Sequence, residues 1–196
     1  MSQNQPEFLL LGDSITTGFD TARLLPELAI RNDGVSGDST VELLARLRPD
    51  WLQAPGPRAV FVCIGTNDLA RDRTDDYILS QITLLVAELR RAGEPFRVVL
   101  TSLFPTRNNG PRPNARILGF NAQLAALAAD LGVEFWALHP HFLDEDGQLR
   151  AEFTDDGLHL TAAAYAEWAM QLRAFVRPST AAPPPPTRPP HTPPRQ

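Results

Sequence analysis

The sequence predicts an α/β fold in which helices cover both faces of a parallel β-sheet. Five segments have the length and apolar character of buried strands, the second being the weakest: residues 8–11, 28–32, 59–64, 98–103 and 133–137. Four intervening stretches repeat apolar residues with the period of a helix: residues 39–47, 75–92, 114–131 and 161–176. Apolar strands that alternate with helices along the chain are typical of a sheet buried on both sides.

Individual segments support these assignments. The first strand is the run Phe-Leu-Leu-Leu at 8–11, and the segment at 59–64 is apolar throughout. The helix at 75–92 is followed by Gly93, a typical C-terminal stop. Its apolar residues fall on one stripe: Ile78, Ile82, Leu85, Val86 and Leu89.

Length and composition fit one globular domain followed by a tail. The chain has 196 residues, of which 43% are hydrophobic and 21% charged, and this is enough for one substantial core. We expect the domain to span residues 1–177. Residues 178–196 are dominated by proline and should sample extended polyproline conformations. The sequence leaves open whether this tail is disordered or docks into an aromatic groove of a partner.

Charge and cysteine content exclude several classes of function. A net charge of −5 argues against a nucleic-acid partner, because phosphate binding needs a concentrated basic face. No lysine is present, which excludes a Schiff-base mechanism on a lysine amine. The lone Cys63 cannot form an internal disulfide and is expected to be inert core. Without a signal-peptide pattern or an apolar stretch long enough for a membrane span, the prediction is a cytoplasmic protein.

Residues with catalytic potential follow the predicted strands. Ser14 comes after the first strand in a Gly-Asp-Ser turn, Gly37 after the second, and Asn67 after the third. Because parallel strands end at one edge of the sheet, where α/β proteins bind ligands, these residues are expected to converge. A serine hydroxyl can act as a nucleophile, whereas a glycine N–H and an amide side chain can donate to an oxyanion. The pattern therefore indicates an acyl-transfer site.

Asp156 and His159 supply the base that such a nucleophile requires. Their i, i+3 spacing places both side chains on one face of a helical turn, so the carboxylate can accept from Nδ1 of the imidazole. Nε2 is then free to take the proton of Ser14. Asp155 competes for the orienting role, and the spacing favours Asp156. The nucleophile-elbow pattern Gly-x-Ser-x-Gly is absent around Ser14, which argues against the α/β-hydrolase fold.

This constellation resembles the GDSL family of esterases and lipases, specifically its SGNH hydrolase branch, over residues 8–176. The four motifs that carry the resemblance occur in the family's order, at residues 12–16, 34–40, 65–68 and 156–159. The resemblance implies a three-layer α/β/α, flavodoxin-like fold with five parallel strands in the order 2-1-3-4-5. It also implies that no metal or organic cofactor takes part.

By the same resemblance, Ser14 is the nucleophile, and Asp156 and His159 complete a catalytic triad. The oxyanion hole would comprise the backbone N–H groups of Ser14 and Gly37 and the side chain of Asn67. Residues 142–144, 156–161 and 165–169 look like the platelet-activating-factor acetylhydrolase and bacterial acylhydrolase subgroup. The connection between Ser14 and Gly37 is short, and it leaves little room for a long helix before the second strand.

Other polar residues near these motifs have competing interpretations. Asp13 and Asp68 are expected to shape turns. Arg107, Asn108 and Arg112 follow the fourth strand, and the sequence does not decide whether they contact substrate or are solvated loop residues.

A second cluster raises the question of a metal. His139 and His141 precede three acidic residues at 144–146, a set that could ligate a cation. The spacing of a Ca²⁺ loop is incomplete, so a polar loop is the favoured interpretation and no metal site is predicted.

The predicted function is a serine esterase that acts on short-chain carboxylic esters. Acetyl groups are favoured, because nothing in the sequence suggests a long apolar lid, and acetylated carbohydrates and lysophospholipid-like esters are candidate substrates. An acyltransferase with the same triad is an alternative, and so is a non-catalytic flavodoxin-like binding module. A binding module has no need of Asp156 and His159 beside a serine. The sequence leaves open whether the protein forms a homo-oligomer.

Overall fold

The sheet has the predicted architecture. The computed structural model describes residues 6–48, 52, 56–93 and 96–177. Within them, five parallel strands pair in the order β2-β1-β3-β4-β5. The strands are β1 (Phe8–Gly12), β2 (Ile30–Gly34), β3 (Ala59–Cys63), β4 (Arg97–Thr101) and β5 (Glu134–Trp136). Every predicted strand is confirmed to within two residues at each end, and so is the predicted fold class.

Among the described residues there are seven α-helices, of which four are predicted from the sequence and three are not. They are α1 (Ser14–Thr17), α2 (Thr21–Leu24), α3 (Thr40–Arg46), α4 (Thr66–Ala70), α5 (Asp75–Arg91), α6 (Asn114–Leu131) and α7 (Ala162–Val176). The unpredicted α1, α2 and α4 span four or five residues each, which is too short to show a helical period. As expected, no long helix fits between Ser14 and β2. The predicted proline-rich tail at 178–196 lies outside the described residues.

Two hydrophobic cores lie on opposite faces of the sheet. Successive strand side chains point to opposite faces, so Phe8 and Leu10 join one core and Leu9 and Leu11 the other. The first core is covered by α7, and the second by α3, α5 and α6. This arrangement gives the three-layer α/β/α fold. No helix among the described residues is both long enough and apolar enough to cross a bilayer.

The fourth strand ends two residues earlier than its apolar run. The predicted segment continued to Leu103, but β4 ends at Thr101. The buried amide of Asn121 on α6 takes both backbone groups of Leu103, accepting from its N–H at 2.8 Å and donating to its carbonyl at 3.0 Å. At Leu103 a side chain thus takes the place of a neighbouring strand, and the regular pairing of β4 has ended.

Candidate active site

Three residues far apart in the sequence meet at the carboxyl edge of the sheet. Ser14 Oγ lies 3.2 Å from Nε2 of His159, and Nδ1 of the same ring lies 2.6 Å from Oδ2 of Asp156. Both distances are those of hydrogen bonds. The structure thus brings together Ser14, Asp156 and His159, and it is Asp156 rather than Asp155 that contacts the imidazole.

Ser14 is held where β1 turns into α1. It is the first residue of α1, and the preceding Asp13 caps this helix by accepting from Ile15 N–H at 2.9 Å. Gly12 closes the strand, and a Cβ there would overlap the carbonyl of Cys63 on the neighbouring strand. Only glycine fits at this point, because the backbone of β3 leaves no room for a side chain.

An aromatic cluster supports α1 from the first core. The Tyr165 hydroxyl, on α7, donates to the carbonyl of Ile15 at 2.8 Å. Phe19 stacks on Tyr165 and on Trp168 with ring centroids 5.8 and 4.5 Å apart. Because Tyr165 and Trp168 are anchored on α7, they fix the short helix that begins with Ser14.

The carboxyl group of Asp13 is buried behind the nucleophile. It is only 2% exposed, and burial raises its pKa to about 7. The hydrogen bond from Ile15 N–H and the positive charge of Arg112 oppose this rise. Asp13 therefore shapes the turn, as expected, and its ionisation falls near neutral pH.

The turn that carries Asp156 and His159 is fixed by its own backbone. Oδ1 of Asp156 accepts from the N–H groups of Leu158 at 2.9 Å and His159 at 2.7 Å, which leaves Oδ2 for the imidazole. The hydrogen bond from His159 holds the pKa of Asp156 well below its usual range. The side chains of Asp156 and His159 are both 53% exposed, so water can reach the imidazole.

Two of the three predicted oxyanion donors, Gly37 and Asn67, lie on neighbouring turns. Asn67 is in the first turn of α4, and its Nδ2 donates to the carbonyl of Asp38 at 2.9 Å. Gly37 precedes Asp38 and has a φ of +86°, a conformation that favours glycine. Arg71 donates to the Gly37 carbonyl at 3.0 Å and fixes this turn. The backbone of Gly37 and the amide of Asn67 are thereby joined through Asp38.

Asp68 has a structural role, as expected. Its side chain is fully buried and accepts from the backbone and hydroxyl of Thr40 at 2.9 and 2.8 Å and from Arg73 at 2.7 Å. These bonds tie α4, and with it Asn67, to the start of α3.

The arginines after β4 contact protein groups. Arg107 binds Asp144 and donates to the carbonyl of Leu149 at 2.7 Å, which attaches the 144–149 turn to this loop. Arg112 donates to the carbonyl of Thr66 at 2.9 Å and to Oδ1 of Asn67 at 3.0 Å. The contact between Arg112 and Asn67 is the feature of the site that sequence reasoning missed. Nothing in the local sequence signals it, because it depends on the path of the loop.

The two histidines considered as metal ligands lie in different environments. His139 is buried, and its backbone N–H donates to Ser102 Oγ at 2.8 Å, whereas His141 is exposed. Asp144 is engaged by Arg107. Among the residues that the structure describes, no group of three or more His, Cys, Asp or Glu side chains could hold a metal ion. The buried Cys63 has a pKa raised by burial, in keeping with a core residue.

Comparison with known proteins places this geometry in a family. Residues 10–167 match the sequence model of the GDSL-like lipase/acylhydrolase family. The chain belongs to this family. As a GDSL-like hydrolase it is a serine hydrolase, and the recognition made from its motifs is confirmed. The alpha1 subunit of platelet-activating factor acetylhydrolase IB from Bos taurus is 30% identical over 180 residues, which are 88% of this chain and 75% of that protein.

Solved structures show the same fold. A GDSL-like lipase from Bacteroides thetaiotaomicron superimposes with a TM-score of 0.71 at 24% identity, covering 87% of each chain. An acetylxylan esterase from Geobacillus stearothermophilus gives 0.64 at 21% identity, covering 86% of this chain and 93% of the esterase. At these identities the likeness concerns the fold.

Proposed function

We propose that this GDSL-like hydrolase is a serine esterase that cleaves short-chain carboxylic esters, acetyl esters above all, through an acyl-enzyme intermediate. The observation that carries the proposal is the hydrogen-bonded series of Ser14, His159 and Asp156, with distances of 3.2 and 2.6 Å. A serine, an imidazole and a carboxylate in this order form the arrangement that activates a hydroxyl for acyl transfer.

The first half-reaction transfers the acyl group to the enzyme. Ser14 Oγ attacks the carbonyl carbon of the ester while Nε2 of His159 takes the hydroxyl proton. Asp156 accepts from Nδ1–H and stabilises the imidazolium. The carbonyl oxygen becomes an oxyanion, which receives hydrogen bonds from the N–H groups of Ser14 and Gly37 and from the amide of Asn67. The bond to the alkoxy oxygen then breaks, and His159 gives its proton to the departing alcohol.

The second half-reaction releases the acid. A water molecule loses a proton to Nε2 of His159 and attacks the acyl carbon. The bond between that carbon and Ser14 Oγ then breaks, and His159 returns the proton to restore the Ser14 hydroxyl. The exposure of the imidazole supports water as the acceptor, because the base opens to solvent. A dedicated acyltransferase has to keep water away from its acyl-enzyme.

Similar proteins support the acetyl group as the acyl portion. The names of the Bos taurus relative and of the Geobacillus stearothermophilus structure both specify acetyl: an acetylhydrolase and an acetylxylan esterase. Acetylated carbohydrates and lysophospholipid-like esters are therefore the two alcohol classes to compare.

A panel of aryl esters with acyl chains of increasing length tests this proposal. We expect kcat/KM to be highest for the acetate and to fall as the chain lengthens. Ser14→Ala should lower kcat/KM by about 10³-fold or more with an unchanged circular dichroism spectrum. Ser80→Ala, which removes an exposed hydroxyl on α5, should leave turnover unchanged. Wild-type hydrolysis by Ser14→Ala would refute the mechanism, and a preference for long chains would refute the acetyl assignment.

A further inference from the structure

Arg112 holds the amide of Asn67 from behind. This half-buried side chain lies on the loop between β4 and α6. Its Nε donates to the carbonyl of Thr66 at 2.9 Å, and its Nη2 donates to Oδ1 of Asn67 at 3.0 Å. Two N–H groups of one planar guanidinium thus bind two successive residues of α4, which fixes both the backbone and the side chain at that point.

The contacts of Asn67 determine which way its amide faces. A guanidinium can only donate, so the atom facing Arg112 must be the amide oxygen. A backbone carbonyl can only accept, so the atom facing Asp38 must be the amide nitrogen, which donates to it at 2.9 Å. The nitrogen carries two hydrogens, and the bond to Asp38 uses one. The second remains for a ligand at the site.

We propose that Arg112 is a positioning residue of the hydrolytic site, which holds the Asn67 amide in the orientation that donates to the oxyanion. The inference rests on the proposed function for its catalytic consequence and on the hydrogen bonds of Asn67 for its geometry. Without the guanidinium, only the bond to the Asp38 carbonyl would hold the amide, whose terminal torsion has a broad, roughly two-fold energy profile and would permit rotation. A rotated amide would present its oxygen to the oxyanion and repel it.

The charge of Arg112 adds to its geometric effect. A cation bonded to Oδ1 withdraws electron density from the amide and makes Nδ2–H a stronger donor. Asp13 lies close enough to interact with this guanidinium electrostatically, and its carboxylate partly balances the charge when ionised. Arg112 would therefore stabilise the developing negative charge through Asn67 without touching the substrate.

Arg116 provides a matched control. It is also half-buried, lies four residues further along the chain, and donates to the carbonyl of Leu69 at 3.3 Å, so both arginines brace α4. Arg116 binds Asp75 and the carbonyl of Arg73 and has no bond to Asn67. Loss of Arg116 therefore removes a comparable brace of α4 and leaves the amide contact intact.

Steady-state kinetics on a neutral aryl acetate separate the two arginines. Arg112→Met should lower kcat about 30-fold with KM changed by less than about twofold, because one oxyanion donor is misoriented. Arg116→Met should lower the melting temperature while kcat stays at the wild-type value. Arg112→Lys should recover part of the loss, since an ammonium can reach one of the two acceptors. An unchanged kcat in Arg112→Met would overturn the proposal, and so would an equal loss in Arg116→Met.

An ester with a carboxylate on its alcohol portion tests whether Arg112 binds the substrate directly. If Arg112 acts through Asn67, Arg112→Met should lower kcat by the same factor for the anionic and the neutral ester. A rise in KM confined to the anionic ester would instead mean that Arg112 binds substrate, and the positioning role would be wrong.

A double-mutant cycle shows whether the effect passes through Asn67. In the Asn67→Ala background, Arg112→Met should change kcat by less than about threefold, because the group that it positions is gone. The full 30-fold loss in that background would show that Arg112 acts independently of Asn67.

Nuclear magnetic resonance tests the geometry without relying on activity. The side-chain N–H₂ signals of Asn67, identified by their loss in Asn67→Ala, should report a rigid group in the wild type and in Arg116→Met. In Arg112→Met, or in Arg112→Gln if the first variant does not fold, their heteronuclear NOE should fall markedly. Equal rigidity without Arg112 would overturn the proposal. A wild type that hydrolyses no ester would instead refute the proposed function and leave this measurement decisive for the positioning role.

Discussion

Gly157 lies with its backbone against that of Arg107. Arg107 N–H donates to the carbonyl of Gly157 at 2.8 Å, and Gly157 has a φ of +82°. A Cβ at position 157 would overlap the carbonyl oxygen of Arg107. Gly157 falls between Asp156 and His159. This contact between two loops therefore fixes the position, relative to Ser14, of the turn that carries both residues.

Gly157→Ala is expected to damage both the turn and the activity. The added methyl meets backbone that cannot move freely and sits at an unfavourable φ, so we expect kcat/KM to fall more than about 100-fold and the melting temperature to drop. Gly147→Ala is the matched control: its φ is +73°, and no atom lies within 4 Å of the added methyl. It should lose about 1 kcal/mol of stability and keep its turnover. Wild-type kinetics in Gly157→Ala would contradict this account.

Asp156→Asn should trap the imidazole in the wrong tautomer. The amide oxygen can still accept from Leu158 and His159 N–H, so its NH₂ would face Nδ1 and leave the ring proton on Nε2. Such a ring cannot take the proton of Ser14, and kcat should fall about 10³- to 10⁴-fold. Asp155→Asn removes the neighbouring exposed carboxylate and should change kcat by less than about twofold. Equal losses in the two variants would mean that the orienting carboxylate has been misassigned.

Asn67 and Asp68 are adjacent, and their substitution should have different consequences. Asn67→Ala should lower kcat about 10²- to 10³-fold, the usual effect of losing one oxyanion donor, with little change in stability. Asp68→Asn should mainly lower the melting temperature, because it weakens buried bonds to Thr40 and Arg73. Thermal denaturation and steady-state kinetics on both variants check this separation. A wild-type kcat in Asn67→Ala would show that Asn67 is not an oxyanion donor.

The buried Asp13 should make stability fall as pH rises towards neutrality. Its pKa is raised from 3.8 to about 7 in the folded state, so between these values the folded protein holds a proton that the unfolded chain has lost. The free energy of unfolding therefore decreases with increasing pH across this window. Asp156 has the opposite shift, and its contribution is lost only at more acidic pH.

Asp13→Asn isolates this effect, since asparagine is a good helix cap that does not titrate. Urea unfolding of both proteins between about pH 4.5 and 7.5 should give a flatter pH dependence for the variant. Parallel curves for the two proteins would show that Asp13 does not titrate in this range.

The features that the sequence predicts are those with a local pattern, such as a periodic apolar segment or a residue that directly follows a strand. The apolar runs at 8–11 and 59–64 predict β1 and β3 because a strand buried on both faces has to be apolar throughout. The spacing of Asp156 and His159 predicts their contact, since a three-residue separation on a turn determines which side chains meet. These features are local, and local patterns are visible in the chain.

The remaining features depend on tertiary contacts. Contacts made by Asp68, Arg112 and Arg116 hold the α4 helix in place. It is too short to show a periodic apolar pattern, so the sequence does not predict it. The sequence does not decide whether Arg112 contacts substrate or is a solvated loop residue, because its partner Asn67 lies 45 positions away. Leu103 belongs to an apolar run, and only the position of Asn121 shows why the strand stops before it.

A covalent label on the nucleophile tests the central claim most directly. An alkyl fluorophosphonate should add to Ser14 Oγ with loss of fluoride, and peptide mass spectrometry should place the adduct on this residue. His159→Ala should slow labelling by about 10³-fold or more, because the base that removes the hydroxyl proton is missing. An enzyme that hydrolyses aryl acetates while Ser14 stays unlabelled, or that labels equally fast without His159, would contradict the account.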